Sequence, residues 1–182
     1  MNSLTIGLWT GGVIVFGLIV YIWRAYNDLI IARLNAERQA SHVEVHLKKK
    51  FDMIPAIVEA VKGYAKHEKG TLEEVTMLRS QWGQSKTSEE KIKTANMLES
   101  ALSKLLIIHE RYPQLKADRS FMNLQHNISY VERELVHERK VYNKRVSWYN
   151  GRVQLFPRNI IAKLFGFKEK PFFSIENENE QA

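Results

Sequence analysis

Leu4-Thr-Ile-Gly-Leu-Trp-Thr-Gly-Gly-Val-Ile-Val-Phe-Gly-Leu-Ile-Val-Tyr-Ile-Trp23 is a run of twenty residues without a charge, closed by Arg24. At about 1.5 Å rise per residue, a helix of that length covers roughly 30 Å, the thickness of a bilayer's hydrocarbon core. A helix is also the one conformation in which a single segment satisfies its own backbone in lipid. Tyr21, Trp23 and Tyr26 fall where an aromatic belt lies, and Arg24 marks the exit into water. A cleaved signal peptide needs a basic n-region and a small-x-small site after a shorter apolar core. Residues 1–6 carry no charged side chain, and the run ends in bulky Tyr21-Ile22-Trp23, so the reading is an uncleaved transmembrane anchor over residues 1–24. Basic residues follow the run (Arg24, Arg33, Arg38) and none precede it. The positive-inside rule therefore predicts the N-terminus outside and the rest of the chain in the cytoplasm. Gly7 and Gly11 form a Gly-x-x-x-Gly, with Gly12 and Gly17 adding small surface. That is a candidate face for helix self-association, although glycine is common in such helices without pairing.

Beyond the anchor remain about 159 residues, enough for one domain with a core. Cysteine is absent, which excludes disulfides, thiolate metal sites and a cysteine nucleophile, and suits a cytoplasmic domain. Nine glycines and four prolines in 182 residues, against plentiful Leu, Ala, Glu, Lys and Arg, describe a helical protein. A formal charge of +7 points to an acidic partner such as lipid head groups or nucleic acid.

From Tyr26 to Ala65 the apolar residues recur at helical spacing, through Ile30, Ala40, Val43, Leu47, Phe51, Ile54, Val58 and Val61. Pro55 interrupts this seam, predicting either a kink or a restart capped by Asp52. Gly70 reads as a C-cap, and Thr71-Leu-Glu-Glu74 as a capping box opening a short helix to Trp82. A third helix is expected over 88–111, with Ile92, Ala95, Leu98, Leu102, Leu105 and His109 at spacings of three and four, stopped by Tyr112-Pro113. A longer fourth, capped by Asp118 or Ser120, carries Phe121, Leu124, Ile128, Val131, Leu135, Tyr142, Tyr149, Val153 and Phe156 up to Pro157. No useful length alternates with period two, so no sheet is expected. The prediction is an all-α chain: a transmembrane helix, then an antiparallel, four-helix-type bundle over 25–157. In that topology the end of the fourth helix returns toward the bilayer.

From Arg139 to Lys168 there are eight basic residues and no acidic one, interleaved with aromatic and aliphatic side chains. Such a surface suits anionic lipid, each Lys or Arg contributing on the order of 1 kcal/mol near the head groups. The plainer alternative is that the apolar members fill the base of the bundle. The candidate membrane-interface residues are Arg145, Trp148, Arg152, Arg158, Ile161, Lys163, Leu164, Phe165, Phe167 and Lys168, with 158–175 as a basic, aromatic amphipathic segment. Residues 176–182 read as an acidic, disordered tail. Lys48-Lys49-Lys50 lies roughly 38 Å along a continuous helix from residue 24 and reads as a solvated face or a contact for an acidic protein partner.

Several stretches together resemble the LemA family of single-span bacterial membrane proteins. They are Tyr26-Asn27-Asp28-Leu29; Gln39-Ala40-Ser41; Val45 to Pro55; Val61-Lys-Gly63-Tyr64-Ala65; Tyr112-Pro113-Gln-Leu115-Lys-Ala117; Tyr142-Asn143; Tyr149-Asn150; Phe156-Pro157; and Phe165-Gly166-Phe167. The family's usual Trp-Ser-x-Ile-Asp stands here as Ser41-His42-Val43-Glu44. The resemblance implies an anchor in the bacterial inner membrane, a helical bundle, and no established enzymatic activity.

Three His-Glu pairs (67–68, 109–110 and 137–138) invite a metal reading, but none continues to His-Glu-x-x-His, since Thr71, Pro113 and Val141 occupy the fifth positions. No phosphate-cradling loop or nucleophile elbow appears. Neither a catalytic residue, a cofactor, a metal nor a small-molecule substrate is therefore assigned. Tyr142-Asn143 and Tyr149-Asn150, seven apart and on one face, are expected to fix helix register. Two function classes follow. One is a membrane-anchored scaffold that self-associates and organises the bilayer; the other is a regulatory adaptor for an envelope protease or sensor, contacted around Lys48–Lys50. Nucleic acid is disfavoured, because the basic residues gather at the membrane-proximal end of the predicted bundle.

Overall fold

The computed structural model describes residues 3–173, all helix and connecting turns without a strand. The expected acidic tail at 176–182 lies outside the described residues. Seven α-helices are described: α1 (Ser3–Phe51), α2 (Ile54–Tyr64), α3 (Lys69–Gln84), α4 (Ser88–Ile107), α5 (Pro113–Lys116), α6 (Arg119–Gln154) and α7 (Arg158–Leu164). Packing divides them into two compact units with boundaries after Gln39, Val141 and Phe172. The boundary expected at residue 158 is therefore not where the packing separates, because α7 buries its inner face on α1 and α6.

Pro55 produces a restart rather than a kink. Proline has no N–H to give the Phe51 carbonyl, so α1 ends there. The orphaned carbonyl is taken instead by Arg79, whose Nε donates to it at 3.0 Å. Asp52 does not cap α2 as expected. Its carboxylate pairs with Lys48 and, at 3.6 Å, with Arg79, while Met53 occupies the cap position without a side-chain bond. The turn after α2 departs from expectation too. A 3-10 turn at Lys66–Glu68 makes the reversal in three residues, so α3 has begun before Gly70 and Thr71, and neither residue caps anything. The capping box sits one helix later at Thr87 and Glu90: Glu90 N donates to Thr87 Oγ1 at 3.2 Å, and Thr87 N donates to Glu90 Oε2 at 3.2 Å. Thr71 and Thr87 share the same Thr-x-x-Glu pattern. Only Thr87 has the extended backbone (φ −101°, ψ 152°) that a cap requires. The Thr87 N–H, joined by that of Lys86 at 3.1 Å, holds the Glu90 carboxyl below its usual range. Asp118 does cap α6, with Phe121 N donating to its Oδ1 at 3.0 Å. The Tyr64 hydroxyl donates to the other oxygen at 2.9 Å, joining α2 to the start of α6.

The second unit, residues 40–141 and 173, is built on Val43, Leu47, Phe51, Ile57, Leu98, Leu105, Phe121 and Leu135, all essentially buried. Phe51 meets Trp82 edge-on, with ring centroids 5.0 Å apart. One cation lies inside this unit. Lys50 is only 2% exposed, and its Nζ donates to Glu99 Oε1 at 3.0 Å and Glu132 Oε1 at 3.4 Å. Arg139 holds the other oxygen of Glu99 at 2.7 Å and lies over the Phe173 ring. The expected solvated Lys48–Lys50 patch is thus split. Lys48 and Lys49 are exposed, while Lys50 is the buried centre of a network, one helical turn before Ile54 on the core-facing side.

Glu99→Gln leaves Lys50 facing only the outer Glu132 and takes the carboxylate from Arg139. Urea unfolding should show a loss of about 3–5 kcal/mol, the cost of breaking a buried pair. Glu132→Gln, at a side chain 53% exposed, should change stability by less than about 1 kcal/mol. Equal effects would contradict the burial argument.

Candidate membrane-contact site

In the first unit, α1 presents Ala25, Leu29, Ala32 and Ala36 at spacings of four, three and four. The small side chains of Ala25 and Ala32, on either side of Leu29, admit close packing by Tyr149 from α6 and by Ile161, Ala162 and Phe167 from α7 and its exit. The expected stripe members Tyr26 and Ile30 flank this line rather than forming it.

After Leu164 the chain reverses on Gly166, whose φ of +72° is costly for residues with a Cβ. Phe167 N donates to the Ala162 carbonyl at 2.9 Å and Gly166 N to that of Lys163 at 3.3 Å, the two bonds of a Schellman cap. Phe167 folds back onto Ala162 and Ile161, as that cap's apolar contact requires. Its ring also meets Tyr26 at 5.8 Å, and the Arg33 guanidinium lies 5.5 Å from its centroid. This geometry explains Phe165-Gly166-Phe167.

The segment that follows lies as a strap along α6, held by its backbone. Tyr149 Oη donates to the Lys168 carbonyl at 2.8 Å and Tyr142 Oη to that of Pro171 at 2.9 Å. Asn150 makes both bonds of a clasp, its Nδ2 donating to the Lys170 carbonyl and its Oδ1 accepting from Lys170 N, each at 2.9 Å. Lys170 Nζ reaches Glu37 on α1 at 3.0 Å. The Tyr-Asn repeats thus secure a non-helical segment; the expectation that they set helix register is corrected. Sequence periodicity could not reveal this, because the partners are main-chain atoms. Burial pushes the Tyr142 hydroxyl up to about 12 and raises that of Tyr149.

The candidate lipid-facing residues divide by this packing. Ile161 and Phe167 are buried in the unit's core, so their placement at a lipid interface is corrected. Arg152 Nε binds Asp28 Oδ2 at 2.9 Å and Arg158 Nη2 binds the same oxygen at 3.2 Å. Arg152 also stacks on the Trp148 ring. Arg145, Lys163 and Lys168 are exposed, as are Trp148, Leu164 and Phe165, the last against Tyr26 at 4.8 Å. The turn between α6 and α7, absent from the expected set, is the most open apolar feature of this unit's C-terminal part. Leu155 is 68% and Phe156 78% exposed, and Ile160 and Leu164 continue the apolar face one helical turn apart on α7. Phe156 belongs to this surface and not, as expected, to the core stripe: α6 has ended and the chain turns away at Pro157. A concavity of about 500 Å³ lies beside this turn, and Tyr21, from the end of α1's apolar run, forms part of its wall. The run itself is a continuous helix, long and apolar enough to cross a membrane, with large side chains such as Leu8, Val13 and Phe16 exposed. Gly7 and Gly11 have open space where a Cβ would be. The second unit holds a separate open groove of about 720 Å³ between α2 and α3, with Val58, Leu72 and Met77 along it and Lys62, Lys66 and Lys69 at its rim.

The structure defines a helical protein in which an apolar N-terminal helix, suited to a membrane, is followed by further helices. The chain belongs to the LemA family, whose model matches residues 39–182, beginning after the apolar run. It is 25% identical over 147 residues to Protein LemA of Metamycoplasma hominis, covering 79% of this chain and 66% of that protein. It is 27% identical over 74 residues to the magnetosome proteins MamQ 1 and MamQ 2 of Paramagnetospirillum magneticum, covering 41% of this chain and 27% of each. The matched part thus spans just under two thirds of the first relative's length and about a quarter of the others'.

Above pH 10 an unfolded tyrosine ionises, whereas buried Tyr142 stays neutral until about 12. Its contribution is therefore complete below pH 10 and is lost as pH rises toward 12. Unfolding curves of Tyr142→Phe should lose about 1 kcal/mol at neutral pH and fall less steeply than wild type between pH 10 and 12. Parallel alkaline curves would contradict this role for the hydroxyl.

Proposed function

We propose that this chain is a non-enzymatic, single-pass protein of the bacterial inner membrane that self-associates and organises the bilayer, its N-terminal side outside and its helical bundle cytoplasmic. The observation that carries the reading is that the exposed Leu155-Phe156 turn and the end of the apolar run share the walls of one concavity. In water, that apolar tip is unfavourable surface; at a bilayer interface it is an anchor flanked by arginines. The partners are the lipid bilayer and further copies of the chain. Gly7 and Gly11, open on the apolar helix, form the proposed self-association face. Orientation rests on Arg24, Arg33 and Arg38.

The lysine-rimmed groove between α2 and α3 favours a second reading, an adaptor that docks a partner membrane protein through the second unit. It moves the contact expected at Lys48–Lys50 to Lys62, Lys66 and Lys69.

Light scattering of the full-length protein after gentle detergent extraction separates the readings. A scaffold should give a large uniform assembly that falls to smaller species in a Gly7→Ile/Gly11→Ile variant. Monomers in both preparations would contradict self-association and leave the adaptor.

A further inference from the structure

We propose that the concavity beside the α6–α7 turn binds one anionic phospholipid, its phosphate held by Arg158 and its acyl chain lying along Leu155 and Phe156. The inference rests on the membrane-anchored reading and adds to it a discrete site of defined chemistry.

Three observations carry it. The first is depth. Tyr21 lines the concavity and belongs to the last turn of the apolar run, so an anchored chain holds this site at the level of the head groups. The second is charge. Arg152 and Arg158 share the single carboxylate of Asp28, and two guanidiniums against one carboxylate leave a net charge of +1. An anionic phospholipid offers the complementary charge, and its phosphate oxygens accept the charge-assisted hydrogen bonds that arginine makes well. Asp28 and the Trp148 ring fix Arg152, while the Arg158 side chain remains 42% exposed. The third is shape. About 500 Å³ falls within the range of small-ligand sites. Gly151 lines it from α6, and a Cβ added there meets nothing within 4 Å. One wall is cationic and the other apolar, the division an amphiphile needs.

The test uses full-length protein in detergent micelles doped with phosphatidylglycerol or phosphatidylcholine, with retained lipid counted by native mass spectrometry. The wild type should keep one phosphatidylglycerol per chain, with about tenfold preference over phosphatidylcholine, whose choline cation cancels the phosphate charge that a site of net charge +1 attracts. Gly151→Leu projects a branched side chain into the space, keeps every charge and favours the helix; it should abolish the preference with unchanged circular dichroism. Arg158→Gln, which keeps the space and removes the charge, should do the same. Equal retention of the two lipids by wild type, or undiminished preference in both variants, would overturn the site. Glycerol phosphate, a head group without chains, should not displace the lipid at equal concentration; full displacement would reduce the proposal to a phosphate site and overturn the acyl contact. Vesicle flotation separates this outcome from the anchoring reading. Variants that float yet lose the lipid support the site, whereas wild type that fails to float overturns anchoring and site together.

Discussion

Three α6 side chains, Tyr142, Tyr149 and Asn150, hold the backbone of residues 168–171, and the first unit depends on that hold. A strap of main chain carries donors and acceptors that must be satisfied wherever it is shielded from water. The tyrosines and the asparagine clasp supply those partners on one face of one helix. Tying down the strap fixes Phe167 against Tyr26 and Arg33, which in turn holds α7 on the alanine line of α1. With α7 placed, its apolar residues divide: Ile161 and Ala162 turn inward, and Ile160 and Leu164 turn outward. The outward pair, together with Leu155 and Phe156, makes the surface assigned to lipid.

The second unit rests on a different constraint, a buried cation. Lys50 is buried because Glu99 and Glu132 meet it there, and Arg139 completes the set. Burying such a pair gives little stability compared with an apolar core of the same volume, but leaving one member alone is costly. The network therefore acts as a check on how α1, α4 and α6 align within this unit, since their charges must coincide.

Much of the fold was legible in the sequence because helical periodicity reports burial. Val43, Leu47, Phe51, Ile54 and Val61, the α4 residues Ile92, Ala95, Leu98, Leu102 and Leu105, and the Asp118 cap are where the spacing placed them, whereas Ile57 is buried in place of the expected Val58, which lines the open groove. Local signals that occur twice misled: Thr71 and Thr87 carry the same capping pattern, and only backbone conformation distinguishes them. Lys50 looked solvated because three consecutive lysines hide the fact that one of them faces the core. The candidate site was legible as a composition, basic and aromatic from Arg139 to Lys168, but not residue by residue. Ile160 and Ile161 are neighbours in sequence, yet on a seven-residue helix whose start no pattern announced one is exposed and the other buried. Phe156 continued a helical stripe in sequence, yet the helix ends two residues earlier.

The central claim is that the α6–α7 turn rests in lipid. The chain has no cysteine, so Phe156→Cys gives a single attachment point for a nitroxide on the full-length protein in phosphatidylglycerol vesicles. Collision with oxygen, which concentrates in the bilayer, is compared with collision with a water-soluble nickel chelate. The account predicts that oxygen relaxes this label strongly and the chelate weakly, in contrast to a label at exposed Lys49. A label at position 156 as open to the chelate as the one at position 49 would contradict it.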